Sequence, residues 1–237
     1  MSKNFNYQRY YEEVTSLKPF LEYYSDIGFR SEMKRFFAIK NLLKEEWRSS
    51  KFLKLVDGCK GFYNGELTGI DIANTTLMEL KEILKKNGIR CNLVQSDIRK
   101  IPFPDNNFDI VICSQVLEHL EDPKEAVLEI RRILKNKGIA VITVPFEDKI
   151  QYTICTHCYR KTPLYGHFHS FTKEKIKDLF EKGSFEILSV KLVRSVLPIK
   201  FYDYLLYFIW SPLDIFFQRL IGRKPNWIVI KVKKKSD

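Results

Sequence analysis

The sequence contains little cysteine and has no long apolar run. Its five cysteines, an odd number in a chain of 237 residues, include three in apolar or strand-like contexts. A disulfide framework is therefore not expected, and the protein is expected in a reducing cytoplasm. No stretch reaches the roughly 18 uncharged apolar residues that a membrane-spanning helix needs. Residues 1–14 contain no apolar signal core. At this length the chain can form one α/β domain with a sizeable core.

The motifs of several enzyme classes are also absent. There is no Gly-x4-Gly-Lys loop for phosphates, no Gly-x-Ser-x-Gly nucleophile elbow and no carboxylate pair at hydrolase spacing. Basic residues are in excess, since 40 Lys and Arg against 29 Asp and Glu give a net charge of +11. That charge suits an acidic small molecule, a nucleic acid or an anionic membrane surface. No clustered basic stripe or nucleic-acid-binding motif accompanies it, so a nucleic-acid partner is not expected.

Short apolar runs alternate with helical patterns from Leu67 onward. Residues 108–115 are almost wholly apolar, as expected of a strand buried on both faces. Residues 74–86 carry apolar side chains at helical spacing and are followed by Gly88, and a second helix opens at Asp122 and extends to Leu134, with Gly138 after its end. This alternation predicts right-handed crossovers and a mostly parallel sheet of the α/β class. Strands are predicted at 67–72, 90–97, 108–115, 139–144, 185–193 and 227–234, with the last two as an antiparallel edge pair.

The chain divides into three predicted regions. Residues 1–48 form an N-terminal helical segment, and residues 49–196 and 225–235 form the sheet domain. Residues 197–224 are rich in aromatic side chains and are interpreted as a helical insertion. The insertion is expected to cap the active site. A dimer contact and a peripheral contact with an anionic membrane, which would make the cytoplasmic protein membrane-associated, are the alternatives.

Polar residues follow three of the predicted strands, at the edge where a doubly wound sheet binds its ligand. Asp71 closes one strand, and a carboxylate there can accept hydrogen bonds from a ribose diol. Asp97 and Ile98 close the next, where an acid can accept from an adenine amino group while the apolar neighbour covers the ring. Ser114 and Gln115 follow the buried strand and are expected to face the same crevice.

These elements, taken in order, resemble the class I S-adenosylmethionine-dependent methyltransferases, in particular the type 11 family. The resemblance is carried by LTGIDI and by SDIRKIPFPDNNFDIVICSQVLEHLEDPKEAVLEIRRILKNKGIAVITVP, about 80 residues in all. It implies a Rossmann-like, doubly wound sheet of seven strands and S-adenosylmethionine as cofactor. It implies that Asp71 with Ile72 binds the ribose, that Asp97 and Ile98 hold the adenine, and that the methionine side is lined by Ser114 and Gln115.

One part of the family pattern is missing, the glycine-rich loop after the first strand. One alignment places Val56–Gly61 there, but it leaves few residues for a crossover to the next strand. The other makes residues 50–56 the first crossover helix and puts Trp47 and Arg48 in the loop position. The second alignment is preferred on spacing. Under either alignment the first strand and the loop are predicted to be degenerate or missing, and with Trp47 and Arg48 in the loop binding of the methionine end of the cofactor is expected to be impaired.

A second constellation lies in the loop that follows the predicted strand 139–144. Cys155 and Cys158 form a Cys-x2-Cys pair, and His167 and His169 follow shortly after. Together they supply four ligands that zinc accepts, and we predict a zinc site there. The alternative is a thiol pair with histidines that shape the substrate pocket. In either case the loop is expected to lie over the acceptor.

The predicted reaction is methyl transfer to a small-molecule, lipid or glycan acceptor. A hydroxyl acceptor would need a general base, for which His119, His167 and His169 are the candidates. The resemblance places His119 in a structural position or near the substrate. No Asn-Pro-Pro-Tyr motif is present, which argues against an adenine or glutamine acceptor. The alternative function is a pseudoenzyme that keeps the fold as a binding or scaffolding module.

Overall fold

A computed structural model describes residues 12, 35, 38–43, 52–55, 66–86, 88–155, 159–194 and 224–236. Several predicted features lie outside these residues. They are most of the N-terminal segment, the stretch 56–65, Cys158 and nearly all of the aromatic insertion.

The centre of the fold is a seven-stranded sheet, which confirms the predicted α/β architecture. Its strands lie in the order β3-β2-β1-β4-β5-β9-β8. Neighbours from β3 to β5 are parallel, whereas β9 runs antiparallel to both β5 and β8, as predicted for the edge pair. The strands are β1 (Phe52–Leu55), β2 (Leu67–Asp71), β3 (Asn92–Gln95), β4 (Phe108–Ser114), β5 (Leu134–Pro145), β8 (Phe185–Val193) and β9 (Trp227–Lys234).

Three helices follow the strands, and their ends agree with local sequence signals. They are α1 (Asn74–Lys86), α2 (Pro123–Ile133) and α3 (Lys173–Lys182). Helix α1 is followed by Gly88 at φ 64°, a left-handed conformation that glycine adopts without strain. Asp122 begins α2 by accepting a hydrogen bond from the Lys124 N–H, and proline fits the first helical position.

Strand β1 contradicts the preferred alignment of the first strand. Residues 52–55 do not form a crossover helix, because they pair in parallel with β2 on one side and β4 on the other. Trp47 and Arg48 precede this strand and therefore cannot occupy the loop that follows it. The alternative alignment is correct, and Gly58 and Gly61 come directly after β1 in the sequence.

The connection between β1 and β2 is shorter than a usual parallel crossover, and for this reason the sequence favoured the other alignment. Residues 56–66 join two parallel strands that pair Phe52 with Leu67. Strand β1 has four residues, each of which rises roughly 3.3 Å. The chain therefore has to return only about 13 Å along the strand direction before β2 begins. Eleven residues can span more than that distance, so the number of residues between the strands is compatible with their parallel pairing.

Strand β5 begins earlier than predicted. Helix α2 ends at Ile133, and Leu134 already pairs with Phe108 of β4. Gly138 lies within the strand, where an added Cβ would approach the Lys135 carbonyl oxygen to 2.8 Å. The glycine that was interpreted as a helix end is thus required by close backbone packing.

Both faces of the sheet are buried, and alternate residues of each strand point to opposite faces. On one face Ala140 and Ile142 of β5 pack in a large cluster with helices α2 and α3. On the other face Ile139 and Val141 pack in a smaller cluster with residues 39–43. The period of two that defines a strand therefore supplies both cores.

The described part of the N-terminal segment is fastened to that second face. Residues 38–42 are helical, and Leu43 is fully buried. The Lys231 ammonium donates to the Leu42 carbonyl at 2.7 Å, and the Arg35 guanidinium lies 5.8 Å from the centre of the Trp227 ring. These residues thus belong to the same packed unit as the sheet.

A small hairpin projects from the sheet domain between β5 and α3. Its strands, β6 (Tyr152–Ile154) and β7 (Lys161–Pro163), pair with each other and form a separate two-stranded sheet. None of the helices in the described residues is long and apolar enough to cross a membrane.

Candidate functional site

The carboxyl ends of β2 and β3 present the first group of predicted site residues. Asp71 ends β2 and is half-buried, and its carboxylate accepts a hydrogen bond from the Ala73 N–H at 2.8 Å. Gln95 lies beside Asp71 in the register of β3, and its amide donates to the Ile72 carbonyl at 3.0 Å. The turn after β2 is therefore held in a fixed shape next to the predicted ribose-binding carboxylate.

Glu12, which no sequence motif indicated, also lies at this edge of the sheet. The carboxylate of Glu12 accepts hydrogen bonds from the Asn74 N–H at 2.8 Å and from the Gln95 amide at 3.3 Å. It thereby satisfies a backbone donor at the positive end of α1, where a carboxylate is stabilising. No motif around Glu12 announces this role, because the contact joins residues 62 positions apart.

Asp97 and Ile98 follow β3, as predicted for the adenine side. The Asp97 carboxylate is held by Arg99, whose guanidinium donates to it at 2.6 Å. Burial raises the pKa of Asp97, but the hydrogen bonds and charge of Arg99 together outweigh burial and keep the pKa below its ordinary value. Ile98 is buried in the main core. Asp97 is therefore an ionised acceptor fixed beside an apolar wall.

The end of β4 carries the third predicted pair. The Ser114 hydroxyl shares a hydrogen bond of 3.0 Å with the Thr143 hydroxyl of β5. Gln115 has a φ of 55°, which is uncommon outside glycine, and its N–H donates to the Thr143 carbonyl at 2.9 Å. Such strained residues are concentrated at functional sites. Here the left-handed backbone conformation of Gln115 turns the chain out of the central strand at the edge of the crevice.

These residues fit an adenosylated cofactor. Half-buried carboxylates stand at the ends of two neighbouring strands, Asp71 on β2 and Asp97 beyond β3, with the apolar Ile98 beside the second. Hydrogen-bonded polar side chains follow β4 at the same edge of the parallel sheet. Acceptors for a diol and an amino group next to an apolar surface are what a nucleoside requires.

A second cluster lies beyond the ends of β4 and β5 and contains two predicted histidines. His119 and His167 are in edge-to-face contact, with ring centres 4.7 Å apart. The His119 Nδ1–H donates to the Gly166 carbonyl at 3.2 Å, and the His167 Nδ1–H donates to the Asp148 carboxylate at 2.6 Å. Because each Nδ1 carries the proton, the basic lone pair of each neutral ring is on Nε2.

Glu118 precedes His119 in a single 3-10 turn, Leu117–His119, and its carboxylate is fully buried. Neither carboxylate oxygen has a hydrogen-bond partner among the described residues. Burial raises the pKa of Glu118 from its ordinary 4.5 to about 8, so the carboxyl group is largely protonated at neutral pH. Burial, with the neighbouring His167, lowers the pKa of His119 to about 4, so this ring is neutral.

The loop 166–169 is positioned by the backbone of the same 3-10 turn. The Phe168 N–H donates to the Glu118 carbonyl at 2.7 Å. His169 points elsewhere, since its Nε2 donates to the Glu121 carbonyl at 3.1 Å. Of the three candidate bases, the structure thus brings His119 and His167 together and separates His169 from them.

The zinc site predicted from Cys155, Cys158, His167 and His169 gains no support from the described residues. Cys158 lies outside them. Cys155 is half-buried, and among the described residues it does not join His167 in a metal-binding group. The nearest such group in the described chain is Glu118, His119 and His167, whose ligand atoms lie within 4.8 Å of one another.

In the second cluster, Asp148 and Glu118 are the site residues that sequence reasoning missed. Asp148 had a usable signal, because it follows the carboxyl end of β5, where α/β folds place ligand-binding residues. Glu118 had none. It lies between Leu117 and His119 in a three-residue turn, and the loop that packs on this turn is nearly 50 residues away, as the contact of its neighbour His119 with Gly166 shows.

Comparison with known proteins agrees with the fold. Residues 52–142 match the family model of the methyltransferase domain. The chain is 33% identical over 213 residues to an uncharacterized protein of Methanocaldococcus jannaschii, covering 84% of this chain and 86% of that one. It is 30% identical over 88 residues to a ubiquinone biosynthesis O-methyltransferase of Rickettsia conorii, covering 37% of this chain and 30% of that one.

A solved structure extends the likeness to the whole fold. The phosphoethanolamine N-methyltransferase 2 of Haemonchus contortus, in complex with S-adenosyl-L-methionine, has a TM-score of 0.63 and 16% identity. The alignment covers 99% of this chain and 61% of that one. At this identity the likeness concerns the fold. The first named methyltransferase relatives share less than a third of their own length with this chain.

Proposed function

Since the chain belongs to the class I S-adenosylmethionine-dependent methyltransferases, we propose that it transfers the methyl group of this cofactor to a hydroxyl group of its acceptor. The acceptor is a small molecule, a lipid or a glycan. The observation that carries the proposal is the Asp148–His167 pair, joined at 2.6 Å in ring contact with His119 beside the carboxyl end of the parallel sheet. This is a base held in orientation by an acid.

The cofactor would be held by the residues at the strand ends. Asp71 would accept from the ribose, and Asp97 with Ile98 would hold the adenine. Ser114 and Gln115 would line the methionine side. When bound, the cofactor supplies an electrophilic methyl group on a positively charged sulfur. The chain then has to position an acceptor in line with that methyl group and exclude water.

The chain's own contribution to the chemistry is removal of the acceptor proton. In the proposed step the hydroxyl oxygen forms a bond to the methyl carbon while the carbon–sulfur bond breaks, and the hydroxyl proton passes to His167 Nε2. Asp148 fixes the tautomer that leaves Nε2 basic, and its charge stabilises the imidazolium that forms. His119 stays neutral because its pKa is about 4, so no second positive charge opposes this transfer. The name of the Rickettsia relative, an O-methyltransferase, supports an oxygen acceptor.

The test measures transfer of a labelled methyl group to three probe acceptors: a catechol, a long-chain alcohol and a methyl glycoside. His167→Gln is expected to lower kcat for the accepted probe by about 100-fold or more, the usual contribution of a general base. Asp148→Asn should lower it as well, since the tautomer is lost. His169→Gln is the matched control and should keep the rate. Full turnover by His167→Gln on an accepted probe would overturn the assignment of the base.

Cofactor binding is tested separately by calorimetry with S-adenosylmethionine. Asp71→Asn keeps an acceptor for the Ala73 N–H but removes the charge, so the turn should persist. We expect affinity to fall about ten-fold or more, because a hydrogen bond to a charged group contributes roughly 1.5–3 kcal/mol. Asp109→Asn, in an exposed pair with Lys135, is the control. Equal affinity of Asp71→Asn and the wild type would remove Asp71 from the site.

The pseudoenzyme alternative loses its main support. It depended on a degenerate glycine-rich loop, in which the preferred alignment placed Trp47 and Arg48. Strand β1 moves both residues out of that position and leaves Gly58 and Gly61 after the strand. The pseudoenzyme alternative would regain support if the protein bound S-adenosylmethionine no more tightly than it binds adenosine and transferred methyl groups to none of the probes.

A further inference from the structure

In the part of the chain that the structure describes, exposed apolar side chains are concentrated on one small element, residues 149–166, which we call the hairpin segment. It contains β6, β7 and the residues around them. Of the large apolar side chains that are exposed in the described residues, Met78, Leu128 and Leu188 are scattered over α1, α2 and β8. The others all belong to the hairpin segment: Tyr152, Ile154, Tyr159, Leu164 and Tyr165.

The hairpin segment does not contribute to the main sheet. Its two strands pair with each other alone, and every residue of β6 is exposed. Tyr159 is 81% exposed and Tyr165 is 61% exposed. Side chains of this size are costly to leave in water, and a cluster of them on a projecting element marks an interaction surface.

The charge of the hairpin segment is of one sign. Residues 149–166 contain no Asp or Glu, whereas Lys149, Arg160 and Lys161 are present and exposed. The Lys161 ammonium lies 4.2 Å from the centre of the Tyr152 ring, so cation and aromatic ring share one surface. The acidic residues just before the segment are both engaged, Glu147 near Lys224 at 3.8 Å and Asp148 with His167.

We propose that the hairpin segment docks the protein on the surface of an anionic lipid bilayer. Tyrosine rings place an apolar body and a polar tip at the boundary between hydrocarbon and water, as this boundary requires. Lysine and arginine side chains next to them meet the phosphates of the lipid headgroups. Isoleucine and leucine side chains supply the apolar area that enters the bilayer. Because residues 149–166 contain no acidic side chain, the hairpin segment itself does not repel an anionic bilayer.

The position of the segment relates docking to the proposed reaction. Asp148 and His167 flank its two ends and are joined to each other at 2.6 Å. Docking would therefore bring the mouth of the candidate site to the headgroup region, where an acceptor embedded in the bilayer could reach it. This last step depends on the proposed function, whereas the docking itself does not.

The test is co-sedimentation of the full chain with vesicles. Vesicles of phosphatidylcholine mixed with phosphatidylglycerol are compared with vesicles of phosphatidylcholine alone. One variant combines Lys149→Gln, Arg160→Gln and Lys161→Gln, and a second combines Tyr152→Ser, Ile154→Ser and Tyr165→Ser. The matched controls place the same changes elsewhere: Lys81→Gln, Lys85→Gln and Lys86→Gln on α1, and Met78→Ser, Leu128→Ser and Leu188→Ser at the scattered exposed positions. Circular dichroism verifies that each variant is folded.

We expect the wild type to bind the anionic vesicles and each hairpin variant to bind them much more weakly. Loss of three cations near the surface should lower the partition coefficient about 100-fold, and both controls should bind like the wild type. Absence of binding to anionic vesicles at low salt would overturn the proposal. Binding that persists in both hairpin variants would also overturn it and would move the contact to another part of the chain, such as residues 197–224. If the apolar variant binds normally, or if RNA binds where vesicles do not, the surface is not a bilayer-docking surface.

Discussion

At the scale of single residues, Glu118 and His119 are adjacent in the sequence, and burial keeps both of them neutral. The folded chain holds a proton on Glu118 up to a pH of about 8, and it keeps His119 unprotonated down to a pH of about 4. In the unfolded chain the carboxyl group ionises near pH 4.5 and the imidazole near pH 6.5. The two groups therefore affect folding stability in opposite directions as the pH changes.

Glu118→Gln tests the effect of Glu118 on the pH dependence of stability, because glutamine has nearly the same shape and does not titrate. Between pH 4.5 and 8 the folded wild type binds a proton that the unfolded chain has released, so raising the pH destabilises it. The slope is at most about 1.4 kcal/mol per pH unit. We expect the variant to gain stability relative to the wild type from about pH 5 to about pH 8, as measured by urea denaturation. His119 is present in both proteins, so its contribution cancels.

Part of the candidate site could be predicted from individual residues, and part could not. Asp71 and Gln115 follow apolar strands, and the ends of parallel strands meet at one edge of a sheet, so their location could be deduced. The partner of His167 could not be identified in this way. Asp148 faces His167 only because the hairpin segment returns the chain to its starting point, and the spacing of the two residues along the sequence does not show this.

At the scale of secondary-structure elements, the sequence predicted helix α1 correctly but interpreted strand β1 as part of a helix, and it gave no prediction for helix α3. Helix α1 has the predicted bounds, because its apolar spacing and Gly88 agree. Strand β1 is four residues long and contains Lys54, which left it indistinguishable from a helix by pattern alone. What identifies it is its pairing with β2 and β4, a contact between distant parts of the chain.

Arg132 is the side chain that joins helix α2 to the loop before β4. Its guanidinium donates to the carbonyls of Ile101 at 2.9 Å and Phe103 at 2.8 Å, and it pairs with Glu129 on its own helix at 2.7 Å. We expect Arg132→Lys to cost about 2–3 kcal/mol of unfolding free energy, because a single ammonium cannot satisfy both carbonyls and the carboxylate. Urea denaturation of the wild type and the variant measures this difference in unfolding free energy.

The control for Arg132 is Lys135, which pairs with Asp109 on the surface at 2.9 Å. Lys135→Gln should change the stability by less than about 1 kcal/mol, as is usual for exposed ion pairs. If both substitutions have the same small effect, Arg132 does not fasten the loop to the helix.

At the scale of the whole molecule, the sheet needs a cover on each face, and the two covers come from different parts of the chain. Helices α2 and α3 cover one face, and residues 39–43 contribute to the cover of the other. From the alternation of strands and helices the sequence predicted α2 of the first cover, but not α3. It assigned residues 1–48 to a separate helical segment, because the aromatic and charged composition there gives no sign of which surface they contact.

Leu43→Ala tests whether the N-terminal residues belong to the folding unit of the sheet. Leu43 is fully buried against strands β4 and β5, so truncation removes apolar contacts and leaves a cavity. We expect a loss of about 2–5 kcal/mol in unfolding free energy, with one cooperative urea transition retained. Leu128→Ala, at a position on α2 that is 58% exposed, is the matched control and should change stability by less than about 1 kcal/mol. A neutral Leu43→Ala, or a separate early transition that this variant alone affects, would mean that residues 38–43 fold independently of the sheet. A single transition shifted as a whole would mean that the second face of the sheet is completed by the N-terminal residues.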